Sequence, residues 1–348
     1  MLVVAVAYPF SSVGPDTVGG AEQILTALEG ALVRAGHRSV VIAREGSVCQ
    51  GTLIPVPAWS VIDEGARIAA YARVRETIAD VVRRFPVDLI HFHGLDFTEY
   101  LRAVPEDGPP SLATLHLPPH LYPREALFPR RPSTWLHCVS ESQQRTCPAG
   151  VSLLPPVPNG VDLQAFRPGP RKGRFALALG RICREKGYHE GIDAVREAGI
   201  PMVLAGEVFP YEDHQRYFRE EIAPRLGGGV RFLGPLGLRR KRRLLAAARC
   251  LIVPSRIAET SSLVAMEALA CGTPVVAFRA GALPEIVDSG RTGFLVSDVY
   301  EMAQAIRDAG ALDPAECRGE AERRFSAEIM VSRYFDLYRR LIAQPVHA

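Results

Sequence analysis

The stretch Val253 to Gly281, VPSRIAETSSLVAMEALACGTPVVAFRAG, constrains this chain's fold more than any other. The apolar run Cys250-Leu251-Ile252-Val253 is stopped by Pro254. It reads as a buried strand of a parallel sheet, where both faces are covered and no polar alternation survives. A loop with Arg256 and Glu259 follows. Thr260, Ser261 or Ser262 is placed to cap a helix whose apolar residues (Leu263, Met266, Leu269, Ala270) recur at helical spacing. Gly272 ends that helix, Pro274 blocks its continuation, and Val275-Val276-Ala277-Phe278 reads as the next strand.

The unit carries two carboxylates eight residues apart, Glu259 in the loop and Glu267 on the helix. Eight residues is about two helical turns. Unpaired N–H groups at a helix N-terminus, aimed at the mouth of a sheet, suit a phosphate. A carboxylate beside them repels the phosphate but accepts hydrogen bonds from hydroxyls. The pattern therefore suits a phosphate flanked by polyhydroxyl groups, as in a nucleotide sugar. On spacing alone, a plain loop charge at Glu259 and a solvated helix face at Glu267 fit equally well.

At 348 residues, 47% hydrophobic and 23% charged, the chain suits two soluble globular domains. A net charge of +3 gives no ground for nucleic-acid binding. Seven scattered cysteines (49, 138, 147, 183, 250, 271 and 317) form no C-x-x-C pair, which points to neither zinc nor a disulfide framework and fits a reducing cytoplasm. The opening Met1 to Pro9 reads as a buried first strand rather than a signal peptide, and no apolar run reaches transmembrane length.

Along the chain, strand and helix patterns alternate. A loop with Gly14, Gly19 and Gly20 leads into a helix over about 21–35, then a strand over 39–43. A long helix over 61–85 precedes a strand over 87–92, which ends at His91-Phe92-His93-Gly94. His91 and His93 share a face, but no third ligand lies nearby in sequence, so metal is not expected. His93 and Gly94, at a strand's carboxyl end, are candidates for the acceptor side. Strand 111–115 delivers His116, loop 117–132 is proline-rich, and Ser140 is placed as an N-cap after strand 135–139. The proline-rich segment Leu154 to Phe166 reads as a hinge, placing domains at 1–158 and 159–325 with a final helical segment at 326–348. A second α/β series follows, opening with a strand over 174–179. There Arg181 and Lys186, at a strand's carboxyl end just before a helix, make a diphosphate clamp, since cations at a helix N-terminus are unfavourable without an anion. The run Arg239-Arg240-Lys241-Arg242-Arg243, placed ahead of an apolar helix segment at 244–248, reads as a solvated face, with weak peripheral membrane contact as the lesser alternative.

Glu259-x7-Glu267 followed by Ala268-Leu269-Ala270-Cys271-Gly272-Thr273-Pro274-Val275-Val276-Ala277 resembles the signature of retaining GT-B glycosyltransferases of family 4 (group 1). Gly19-Gly20-Ala21-Glu22, Thr114-Leu115-His116, Pro158-Asn159-Gly160-Val161-Asp162 and the Arg181-x4-Lys186 pair resemble the same family, so the likeness covers nearly the whole chain. One departure is Ser261-Ser262 where the family often has Phe-Gly. The resemblance implies two Rossmann-like α/β/α domains facing a central cleft, with the C-terminal helix crossing back to the N-terminal domain. It implies transfer of a sugar, with retention, from a nucleoside-diphosphate sugar (UDP favoured, GDP next) to an unidentified acceptor hydroxyl. No metal or other cofactor is implied, and no D-x-D motif occurs. Glu259 and His116 would meet the donor sugar and Glu267 the ribose. Arg181 and Lys186 would meet the diphosphate, with Gly20, Ser261, Ser262, Leu263 and Val264 near the phosphates and sugar. Gly206 and Leu236 would lie at the base. The alternatives are a GT-B phosphorylase or epimerase, or a non-catalytic nucleotide-sugar-binding subunit. Oligomeric state is not legible.

Overall fold

A computed structural model describes residues 1–59 and 61–344. The chain divides into two compact units, Met1–Pro158 with Met330–Ala348, and Asn159–Ile329.

The first unit holds a seven-stranded sheet in the order β3-β2-β1-β4-β5-β6-β7. Its strands are β1 (Leu2–Val6), β2 (Arg38–Arg44), β3 (Thr52–Val56), β4 (Leu89–Phe92), β5 (Ser111–Leu115), β6 (Thr134–Cys138) and β7 (Leu153–Leu154). Every pairing is parallel. β3 and β7, which the sequence pattern did not announce, extend its two edges. β3 contains Pro55, which is tolerated because an edge strand needs hydrogen bonds on one side only. The long helix runs from Glu64 to Arg84, capped by Asp63, whose carboxylate accepts from the Ala66 N–H at 2.8 Å. Ser140 caps the helix Glu141–Arg145 as expected, accepting from the Gln143 N–H. Inside, Val4, Ile42, Ile90, Phe92 and Leu115 form the apolar core.

A polar network interrupts that core. His137 Nδ1 lies 3.0 Å from the Cys138 carbonyl, so it carries the proton, and His137 Nε2 accepts from the Thr114 hydroxyl at 2.7 Å. That hydroxyl then accepts from His91 Nε2 at 2.7 Å and from the Tyr334 hydroxyl at 3.3 Å. His91 Nδ1 is left as an acceptor, and Tyr338 donates to it at 2.7 Å. One threonine hydroxyl thus uses its donor and both lone pairs, and the imidazoles on β4 and β6 are satisfied as neutral rings. The two tyrosines come from the last helix, Ala327–Ile342, which belongs to this unit from Met330 onward. The end of the expected 326–348 segment, 345–348, lies outside the described residues.

The second unit holds a six-stranded sheet in the order β10-β9-β8-β11-β12-β13. Its strands are β8 (Ala176–Leu179), β9 (Met202–Ala205), β10 (Val230–Phe232), β11 (Cys250–Val253), β12 (Val275–Phe278) and β13 (Gly293–Val296). All pairings are again parallel. β11 and β12 are buried along their whole length, as their unbroken apolar runs require. The charged run 239–243 does not precede its helix but lies within it, Leu238–Ala247. Leu238, Lys241 and Leu245 fall at i, i+3 and i+7, so Lys241 shares the inward stripe with two leucines while Arg239, Arg240 and Arg243 stay exposed. No helix among the described residues is long and apolar enough to cross a membrane.

Burial lowers the pKa of His91, His93, His116 and His137, the last two to about 3 and about 4. These rings are neutral when folded but protonate near pH 6.5 when unfolded, so the unfolded chain binds more protons below that pH. Asp96, raised to about 6, acts in the opposite sense, as do Glu22 and Glu267, both also raised by burial. The four imidazoles outnumber the three carboxyls. We expect unfolding free energy from urea titration to fall by about 1 kcal/mol or more between pH 7.5 and 5.5. A chain that gains stability over that range would refute this account of the network.

Candidate functional site

In the second unit the strand order reverses between β8 and β11, which are neighbours in the sheet although crossovers from them run to opposite sides. Loops leaving two such strands diverge and open a crevice at their carboxyl ends, where ligands of open α/β sheets bind. β8 leads to Gly180-Arg181 and on to Lys186; β11 leads to Pro254 and on to Glu259. The fold thereby brings together two motifs that lie more than seventy residues apart in sequence.

The loops are tied by backbone contacts. The Glu185 carbonyl accepts from the Ser255 hydroxyl and the Arg256 N–H, each at 3.3 Å. Arg256 itself forks onto the Glu190 carboxylate, with Nε at 2.9 Å from Oε1, and lies 3.8 Å over the Phe278 ring. It holds the loop and is committed to that task. Lys186 Nζ donates to Glu259 Oε1 at 2.6 Å, both side chains largely shielded. Two residues expected on the diphosphate and the sugar therefore hold each other. Arg181 is exposed, and its guanidinium has no hydrogen-bond or ion-pair partner among the described residues.

The helix Leu263–Ala270 starts beside this pair. Ser262 stands at the N-cap position, but the expected hydroxyl cap is not made. Its backbone has φ of −137° and ψ of 89°. The Ser261 hydroxyl is buried without a partner. Among the described residues the Leu263 and Val264 N–H groups have no acceptor, as an anion-binding helix end requires. Lys186, Glu259, Ser262, Val264 and Tyr188 line one small recess.

Glu267 is not on a solvated face. It is 2% exposed, because the helix turns that side towards the helix Leu238–Ala247. Lys241 Nζ donates to its Oε1 at 2.6 Å and lies 5.6 Å from the centre of the Phe166 ring. Oε2 is buried with no partner. Burial raises this carboxyl's pKa, opposed by the Lys241 charge. Lys241 is the residue that sequence reasoning missed. Its signal was the leucine spacing on either side, which the five-residue charge run obscured. With Lys172, whose ammonium donates to the Ala246 and Cys271 carbonyls at 2.9 Å, each of the chain's three lysines has a specific task.

Gly206 follows β9, and its N–H donates to the Gly234 carbonyl at 2.9 Å. Its φ of +152° and the Gly180 carbonyl oxygen leave no room for a Cβ. Leu236 follows that turn and is partly exposed. In the first unit, Gly20 opens the helix Gly20–Arg34. His93 Nδ1 meets His116 Nε2 at 3.1 Å with the rings stacked, and Gly94 packs against Asp96 and Tyr8. Loop 117–132 forms a 3-10 turn and the short helix Arg124–Leu127, which line a pocket with Thr146 and Pro148.

Two family models match. The one described as glycosyltransferase family 4 covers 18–165, and the one described as glycosyl transferases group 1 covers 173–310. The D-inositol 3-phosphate glycosyltransferase of Mycobacterium marinum is 35% identical over 226 residues, 58% of this chain and 47% of that protein. The chain spans about half the length of the curated relatives it matches. A solved glycosyltransferase involved in avilamycin A biosynthesis, AviGT4, is 26% identical with a TM-score of 0.73 over 98% of both chains. Sucrose-phosphate synthase of Thermosynechococcus elongatus shares the fold at 22% identity, with a TM-score of 0.83 over 99% of this chain and 100% of that one. With two all-parallel sheets, these likenesses assign the GT-B fold.

Removing one partner of a buried ion pair strands the other charge. Lys241→Met should cost about 3 kcal/mol, against about 0.5 kcal/mol or less for the exposed Arg243→Met. Without Lys241 the Glu267 pKa rises further, so the folded state holds its proton more tightly and the deficit should be larger at pH 8 than at pH 6. Equal urea midpoints for the two variants would show that Lys241 belongs to the solvated face after all.

Proposed function

The chain belongs to the group 1, family 4 glycosyltransferases, and on that premise we propose that it transfers a sugar from a nucleoside-diphosphate sugar to an acceptor hydroxyl. The observation that carries the reading is Glu267: a carboxylate 2% exposed, one oxygen on Lys241, the other without a donor. An unmet buried acceptor costs roughly 1–3 kcal/mol. A ribose hydroxyl donating to Oε2 removes that cost, and the Lys241 charge opposes the protonation that burial favours, which keeps Oε2 an acceptor. The partnerless N–H groups of Leu263 and Val264 and the uncommitted guanidinium of Arg181 supply the positive side for a diphosphate.

In the proposed reaction the bond between the anomeric carbon and the diphosphate oxygen breaks. The acceptor oxygen bonds to that carbon on the same face, and its proton passes to a departing phosphate oxygen. Charge grows on the diphosphate as the bond breaks, so donors aimed there lower the barrier. Lys186 would turn from Glu259 to the diphosphate, freeing Glu259 to accept from the sugar hydroxyls. His116, held by His93, is the proposed sugar contact of the first unit, and His93 and Gly94 belong to its acceptor side. With cations and backbone N–H groups available, no divalent ion is invoked, and UDP is the favoured nucleotide. Seven free thiols fit a reducing, cytoplasmic setting.

UDP, GDP and ADP should be compared by thermal unfolding of wild type and Glu267→Gln. One nucleotide, at about 100 times its dissociation constant, should add roughly 2.7 kcal/mol to the wild type, with little left in the variant. No shift with any nucleotide would remove the basis of the reading. Arg181→Ala should lower kcat roughly 100-fold with a smaller change in KM, since the charge it meets develops in the transition state. A variant with wild-type kcat would exclude that role.

A further inference from the structure

Beside the crevice, but separate from its carboxylates, lies a second constellation. Cys183 stands at the N-cap of the 3-10 turn Arg184–Lys186, Glu185 is within that turn, and His214 comes from the helix Glu212–Tyr217. One donor atom from each, a thiol sulfur, a carboxylate oxygen and a ring nitrogen, lies within 4.8 Å of the other two. Cys183 is buried, His214 half-buried and Glu185 exposed, so the group has an inner wall and an open side.

The imidazole is placed by packing. Its ring stands edge-on to Tyr211 with centroids 5.2 Å apart, and Phe209 lies 6.2 Å away. His214 Nδ1 is buried and has no hydrogen-bond partner among the described residues. The Cys183 thiol lies 3.6 Å from the Arg181 carbonyl and shares its proton with the Glu185 carboxylate, so two of the three donors already face each other. An imidazole with an unpartnered buried nitrogen, beside a thiol and a carboxylate, is a set short of a shared centre.

We propose that Cys183, Glu185 and His214 bind a thiophilic divalent cation of the zinc class. Sulfur, imidazole and carboxylate together select a borderline-soft ion rather than magnesium or calcium, which take oxygen alone. A tetrahedral ion with Zn–S near 2.3 Å and Zn–N near 2.1 Å holds its donors roughly 3.5 Å apart, so closure needs only about an ångström of side-chain movement. The three protein ligands leave the fourth position open. The Arg181 charge opposes a cation here, since it also bears on His214. The thiolate and the carboxylate offset it with two negative charges against the ion's two. Because Cys183 and Glu185 lie between Arg181 and Lys186, a bound ion fixes the clamp loop to the 212–217 helix. The proposal does not rest on glycosyl transfer, and its readout involves no nucleotide.

Cobalt(II) reports the site, because a thiolate ligand gives a near-ultraviolet charge-transfer band that carboxylates and imidazoles do not. Cobalt titrated into the reduced, untagged full chain should produce that band with an endpoint of one equivalent, and zinc should displace it. Cys183→Ser should abolish the band, and His214→Ala should weaken cobalt binding at least tenfold. Cys49→Ser, at a partly buried thiol outside the cluster, should leave both unchanged. Circular dichroism of each variant separates loss of the site from loss of the fold, and His214→Ala, on a half-exposed helix, tests the site even where Cys183→Ser is unstable. Absence of the band at stoichiometric cobalt, or a band that survives Cys183→Ser, overturns the proposal.

Discussion

Parallel pairing is the constraint on which this structure rests. A parallel strand cannot return by a hairpin, so each crossover climbs a face of the sheet and covers it. Both sheets are built this way throughout. With all strands pointing one way, every strand's carboxyl end lies on one edge, and only loops at a reversal of strand order diverge enough to leave a crevice. Arg181, Lys186 and Glu259 face one another because β8 and β11 are neighbours at that reversal. Glycine at 206 serves the same edge, since the backbones of 180 and 206 approach too closely for any side chain between them.

Two lysine–glutamate pairs shape the electrostatics of this edge, beside the unpaired guanidinium of Arg181. Lys186 holds Glu259 at the mouth of the crevice, with both side chains largely shielded. Lys241 holds Glu267 deeper, where the desolvated carboxylate needs a cation to stay ionised. Arginine could not replace Lys241 simply, because a planar fork needs more room than an ammonium between Phe166 and a buried carboxylate.

The first unit meets the opposite problem, of polar groups placed where charge is not wanted. Thr114, His91, His137, Tyr334 and Tyr338 satisfy one another as neutral groups, with donors and acceptors alternating through a single hydroxyl. Such a network costs little when complete and much when broken. It gives the final helix a directional attachment to β4, β5 and β6 in addition to apolar contact.

Local patterns in the chain announced the parallel strands, the Glu259–Glu267 unit, the Ser140 cap and the family resemblance, because each is written in contiguous residues at a period of two or 3.6. The edge strands β3 and β7 were not legible: they are short, one carries a proline, and their pairing is decided by partners distant in sequence. Only tertiary structure could show that Lys241 turns inward to Glu267, that Ser262 fails to cap its helix, and that His214 meets Cys183. Spacing along one helix or strand fixes which face a residue occupies. What that face meets depends on a second element brought in by the crossovers, and that meeting sets burial, charge and the chemistry open to the side chain.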